Sequence, residues 1–101
     1  MMFKELDPLL HSQLRLSIIS LLIGVKSGTF AFLQEKTGAS KGNISVQLKK
    51  LEEAGYIEID KSFKDNYPRT TCKITEKGVS AFKNYVDALK EYLRDQEPGI
   101  F

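Results

Sequence analysis

The chain has 101 residues, 42% of them hydrophobic and 28% charged, with a formal net charge of +2. That length predicts a single domain over residues 1–101 with one modest core, the composition excludes a disordered chain, and the charge total by itself argues for no partner. A single cysteine excludes an internal disulfide framework and makes a reducing cytoplasm the expected compartment.

Along the chain, Asp7-Pro8 is a helix-start pair and Ser12 offers a second cap. A dense apolar run (Leu14, Leu16, Ile18, Ile19, Leu21, Leu22, Ile23) predicts a central helix over about Ser12 to Ile23, buried on most sides. Gly24 and Gly28 then bracket a turn. Thr29 caps a short helix whose Phe30, Phe32 and Leu33 face inward, and Gly38 stops it. Ser40 caps the next helix, Lys41 to Ala54, which ends at Gly55. Two short helices joined in this way make a helix-turn-helix.

The alternation from Tyr56 to Phe63 predicts a half-buried strand with Ile57 and Ile59 on one face. Residues 64–68 read as a polar turn, and Arg69 to Thr75 as a second strand rich in β-formers. Thr75 caps a last helix over about Glu76 to Arg94, with Pro98-Gly99 marking the end of the element. Its Val79, Phe82, Val86, Leu89 and Leu93 repeat at three and four residues, a heptad seam. The expected fold is mainly α with a small β-hairpin: a winged helix-turn-helix over residues 1–75 and a dimerisation helix over 76–95.

The longest apolar run, Ile18 to Val25, falls far short of the ~20 residues of a membrane span. The N-terminus shows no charged region followed by an apolar stretch, so no signal peptide is expected. Neither phosphate-binding glycine loops nor nucleophile-elbow or zinc-protease motifs occur. No catalysis, cofactor or metal is expected.

The third helix carries the functional argument. With Ile44 at zero on a wheel of ~100° per residue, Leu48 and Leu51 fall beside it as the buried stripe. The opposite face holds Gly42, Asn43, Val46, Lys49 and Lys50, with Gln47 at its edge. Between Ser40 and Leu51 there are three lysines and no acid. Asn and Gln can pair with adenine, Lys can reach guanine or phosphate, and a helix N-terminus attracts phosphate. A solvated face whose lysines only aid solubility is the bland alternative. Gly42 costs about 1 kcal/mol relative to alanine inside a helix, which close approach to a DNA backbone would explain; so would the tolerance of a first turn.

The hairpin adds Lys61, Lys64 and Arg69 around an Asp65-Asn66 tip, suited to phosphates or a minor groove. Those lysines can equally discourage edge pairing, and Asp65 opposes contact with phosphate. Charge distribution favours the same surface. Residues 36–75 carry eight basic and five acidic side chains, whereas residues 76–101 carry four basic and five acidic.

The seam of the last helix predicts a homodimer packed through Phe82, Tyr85, Val86, Leu89 and Leu93, with Tyr92 beside them. Two-fold symmetry would then set two reading helices about 34–36 Å apart. Val79 and Phe82 are expected to share themselves with the chain's own core. Cys72 reads as apolar filler in a strand, and His11 as a capping or interface residue. The tyrosines of the last helix read as packing, with the lining of a small-molecule effector pocket as the other possibility.

From Leu6 to Leu93 the chain resembles the small winged-helix transcriptional regulators of the MarR and ArsR types, in their compact bacterial and archaeal branch. The matching residues are Leu6-Asp7-Pro8 with His11 and Arg15-Leu16; Phe30 to Leu33; Gly42-Asn43-Ile44-Ser45; Leu48, Leu51-Glu52 and Gly55-Tyr56; Pro68-Arg69-Thr70; and Thr75 with Gly78. The resemblance implies a dimeric regulator of double-stranded DNA, with the third helix in the major groove and the wing beside it. It places Ser40, Lys41, Asn43 and Gln47 at reading-helix positions and Arg69 at the basic position of the wing. The cysteine and histidine positions of the family's metal sensors are absent. A winged-helix module that binds protein rather than DNA is the alternative expectation.

Overall fold

The computed structural model describes residues 3–94. Its elements run α1 (Gln13–Val25), β1 (Ser27–Thr29), α2 (Phe30–Thr37), α3 (Lys41–Glu53), β2 (Ile57–Lys64), β3 (Tyr67–Ile74) and α4 (Glu76–Arg94). Three helices, a three-stranded antiparallel sheet of order β1-β3-β2 and a final long helix make a winged-helix fold. The expected helix stop at Pro98-Gly99 and the last residue of the 76–95 segment lie outside the described residues.

The helix ends follow local chemistry. Thr29 accepts from Phe32 N at 3.1 Å, Ser40 from Asn43 N at 3.2 Å and Thr75 from Gly78 N at 3.0 Å, so each side chain satisfies a first-turn amide. α3 closes on Gly55, whose φ of 79° only glycine adopts cheaply. There Gly55 N donates to Glu52 O at 2.9 Å and Tyr56 N to Leu51 O at 3.0 Å, a Schellman ending that turns the chain into β2.

Three expectations are corrected. The Asp7-Pro8 pair starts a single turn, not a helix: Asp7 O accepts from His11 N at 2.8 Å and Asp7 Oδ1 from Leu9 N at 2.9 Å, after which the chain leaves helical geometry. The helix proper runs Gln13–Val25, and the Ser12 side chain makes no capping bond. Second, residues 27–29 are a strand, not a turn, and pair with Thr71 to Lys73 of β3. Gly28 belongs there because a Cβ would lie 2.9 Å from Phe32 Cδ2. Third, the hairpin turn is only Asp65-Asn66, with φ of 52° and 67°. Two successive positive φ values suit a type I′ turn, which matches the twist of the flanking strands. Tyr67 and Pro68 therefore lie in β3, where Pro68 faces Phe63 beyond the reach of β1.

The core gathers Ile18, Ile19 and Leu22 of α1, Leu33 of α2, Ile44, Leu48 and Leu51 of α3, and Ile57 and Cys72 of the sheet. The α3 stripe is the one its spacing predicts. On α4 the buried residues are Gly78, Tyr85 and Ala88, with Phe82 half-buried. The own-core stripe is thus rotated from the heptad seam.

Candidate nucleic-acid interface

Because Ile44, Leu48 and Leu51 face the core, most of the rest of α3 faces outward, Glu52 and Glu53 of its last turn included. Lys41, Gly42, Asn43, Val46, Lys49 and Lys50 are all exposed, Val46 by 50%, and Ser40 is exposed at the helix start. Among these residues there is no acid. Open space surrounds Gly42, with nothing within 4 Å of a Cβ built there.

Gln47 is half-buried because it is held from both sides. Arg15 Nη1 donates to Gln47 Oε1 at 2.5 Å, and Gln47 Nε2 donates to Asn43 Oδ1 at 2.9 Å. Arg15 Nε donates in turn to Leu9 O at 2.6 Å. Sequence reasoning gave Arg15 no role at this surface. The available signal is that Arg15 is the only charge in α1, and a charge on so apolar a helix needs a partner.

The wing stands next to this face. Lys41 of α3 and Lys64 and Arg69 of the wing line one open groove of about 750 Å³ with Gln34 and Phe30. On its other flank, Lys49 and Lys61 line a groove of about 660 Å³ together with Ser45 and Glu52. The structure thus brings Lys41, Lys49 and the wing cations around two adjoining grooves, whereas Lys50 lines neither. Asp65 lines the first groove and Glu52 the second, so each also contains one carboxylate. Phe63 and Tyr67 near the wing tip are 77% and 75% exposed.

The residues expected at a dimer interface divide. Leu89 and Leu93 are 43% and 70% exposed, and Val86 is half-buried. Phe82, Val86 and Leu89 face Leu16 of α1 across a groove of about 310 Å³. Tyr85 also lines that groove but differs from them in burial. It is 6% exposed, packs in the chain's own core and pairs its hydroxyl with His11 Nδ1 at 3.0 Å. Tyr92, 37% exposed, stacks on Phe3 with ring centroids 4.6 Å apart. The seam spacing gives no sign of Tyr85's place in the core because it weighs only repeat, and a second stripe of α4 fits the core better.

Two side chains have shifted acidities. Burial, and then the hydrogen bond to Asp7, push the Tyr56 hydroxyl up to about 12. Burial, and then the Glu52 charge, push the Cys72 thiol up to about 11, which keeps it protonated and unreactive at neutral pH. Among the described residues no cluster of His, Cys, Asp or Glu could hold a metal, and no helix is long and apolar enough to cross a membrane.

The geometry has close counterparts. An uncharacterized protein of Methanocaldococcus jannaschii is 43% identical over 76 residues, 75% of this chain and 83% of the relative. A transcriptional regulator homologue from Pyrococcus horikoshii superposes with a TM-score of 0.79 at 27% identity, covering 85% of each chain. A MarR mutant from E. coli, solved with operator DNA, has the same fold (TM-score 0.71, 16% identity), and the match covers 86% of this chain and 61% of that one. Residues 14–93 match the winged helix DNA-binding domain family, and with that extent of match the chain belongs to it.

Proposed function

We propose that the chain is a sequence-specific DNA-binding transcriptional regulator that acts as a homodimer. The observation that carries this reading is the exposed face of α3, free of acids from Ser40 to Leu51, with the wing cations beside it, in a chain of the winged helix DNA-binding domain family. On this reading α3 enters the major groove. Lys41, Lys49, Lys50, Lys64 and Arg69 contact phosphates and supply most of the affinity, and Asn43 and Gln47 supply selectivity. Ser40 and Gly42 allow the helix start to approach a phosphate, and Val46 offers an apolar contact to a thymine methyl. Phe82, Val86, Leu89 and Leu93 supply the dimer contact, with no enzymatic step and a cytoplasmic setting.

A second reading, a protein-interaction module, draws on the exposed Phe63 and Tyr67 of the wing. One titration separates the two. Fluorescence anisotropy of a labelled duplex pool, repeated at rising salt, should give a Kd that weakens steeply with log salt. Binding that ignores salt, or no binding to DNA at all, would leave the interaction module as the better account.

A further inference from the structure

We propose that Arg15 is a specificity-determining positioning residue: by polarising the Gln47–Asn43 amide pair it makes α3 present hydrogen-bond donors, which select guanine over adenine. The inference rests on the DNA-binding reading above and deepens it.

Arg15 reaches α3 from the neighbouring helix with its guanidinium fixed at two points, Leu9 O at 2.6 Å and Gln47 Oε1 at 2.5 Å. A guanidinium only donates hydrogen bonds. The end of the Gln47 amide that faces Arg15 is therefore its oxygen, and the end that faces along α3 is its nitrogen. That nitrogen donates to Asn43 Oδ1 at 2.9 Å. The orientation of both amides thus follows from a group that cannot accept, one step after another.

The consequence lies at the exposed end of the relay. With its oxygen turned along the helix toward Gln47, Asn43 offers its NH₂ edge to the outside, and Nδ2 has no partner among the described residues. A bidentate amide–adenine pair takes one amide oxygen and one amide N–H together, and here the oxygen is turned to Gln47, which leaves the two N–H groups as the unpartnered edge of the amide. The major-groove edge of guanine shows O6 and N7, both acceptors, and suits a donor-only edge.

The test is selection from a pool of duplexes randomised over about 20 base pairs, two turns of helix, with the full chain and four forms: wild type, Asn43→Ala, Arg15→Met and Gln47→Glu. Wild type should enrich a guanine at a half-site position that Asn43→Ala leaves degenerate. Arg15→Met removes the donor at similar volume and should lower the guanine-to-adenine enrichment there by about fivefold or more, the worth of part of one bidentate contact. Gln47→Glu presents two acceptors, so the Asn43 amide turns over, its oxygen faces out, and the preference moves to adenine or cytosine. A base ratio is the readout because a merely structural role for Arg15 would change affinity or melting and leave the ratio alone. If Arg15→Met does not fold, the reversal in Gln47→Glu decides the matter.

The proposal is overturned if Arg15→Met and Gln47→Glu keep the wild-type ratio, if the Asn43-dependent base is adenine in wild type, or if no such position exists while sequences are still enriched. If wild type enriches nothing and binds without salt dependence, the DNA-binding reading itself fails and takes this inference with it.

Discussion

Tyr56, the first residue after the α3 ending, donates its hydroxyl hydrogen to Asp7 Oδ2 at 2.5 Å across 49 positions of sequence. The same carboxylate accepts from Leu9 N through its other oxygen, so the N-terminal segment is tied to the point where α3 becomes β2. Lys77 of α4 lies 5.8 Å from the Tyr56 ring centroid, which adds a third element to the junction. Removing the hydroxyl with Tyr56→Phe should cost about 1 kcal/mol of stability, read as a lower urea midpoint with unchanged m-value.

That junction also predicts a high-pH limit. The Tyr56 pKa is raised from 10.0 to about 12 and that of Cys72 from 9.0 to about 11. Both groups stay protonated longer folded than unfolded, so their stabilisation is complete below pH 9. It declines as pH rises from 9 to about 11 for Cys72, and from 10 to about 12 for Tyr56. Urea midpoints measured across that range should fall. Tyr56→Phe should flatten the upper part of the fall only; an unaltered profile in that variant would remove Tyr56 as a cause.

Two glycines should respond in opposite ways to alanine. A Cβ at Gly78 would lie 2.3 Å from the Tyr56 carbonyl oxygen and 2.8 Å from Ile74 Cδ1, and a backbone atom cannot swing aside. Gly78→Ala should destabilise the fold by about 1–3 kcal/mol, the cost of overpacking. At Gly42 the space is open, so Gly42→Ala should keep or raise the melting temperature, by up to about 1 kcal/mol in stability. The same variant should weaken DNA binding, because the added methyl meets the sugar-phosphate chain. Unchanged affinity would mean that Gly42 is only a tolerated first-turn residue.

On α3 the amide and the lysine should separate by type of effect. Asn43→Ala should relax base preference with a smaller loss of overall affinity. Lys50→Ala should weaken all duplexes about equally and lower the salt slope by about 1. Anisotropy titrations at several salt concentrations, with a selected and a scrambled duplex, distinguish these. If neither variant changes binding, this face of α3 is not the contact surface.

How much of this was legible depended on the range of the interaction that fixes each feature. The start of α3 was legible because Ser40, three residues before the amide it caps, acts locally, and its buried stripe because Ile44, Leu48 and Leu51 recur at helical spacing. The wing was legible from the alternation around Ile57 and Ile59. β1 was not, since three residues show no period and its pairing partner Cys72 lies far along the chain. The burial of Tyr85 was not legible for a related reason: α4 has two apolar stripes, and contacts with residues distant in sequence, His11 among them, decide which of them faces the core. Arg15 could be noticed as a lone charge on α1, but its relay to Gln47 exists only once α1 and α3 are packed.

The outer stripe of α4 should hold two copies together. Leu89 and Leu93 are 43% and 70% exposed on a 19-residue helix, and the groove they continue contains Leu16 of α1 with Phe82 and Val86. Burying a leucine is worth about 1.5–3 kcal/mol, and two-fold symmetry counts each side chain twice. A glutamate at either position would place a charge where its symmetry mate also carries one, an unfavourable burial that charge neutralisation only partly relieves. Leu89→Glu and Leu93→Glu together should therefore sediment as a single chain where the wild type sediments as two, and melting should fall to a value that no longer depends on concentration, since the dimer contact is lost while the chain's own core is untouched. Binding to a duplex with two half-sites should then fall by at least about 100-fold, because the second contact no longer benefits from the first, while binding to a single half-site stays as it was. Dimeric sedimentation in the double variant would show that another surface joins the copies; equal loss on both duplexes would show that α4 shapes the reading helix itself.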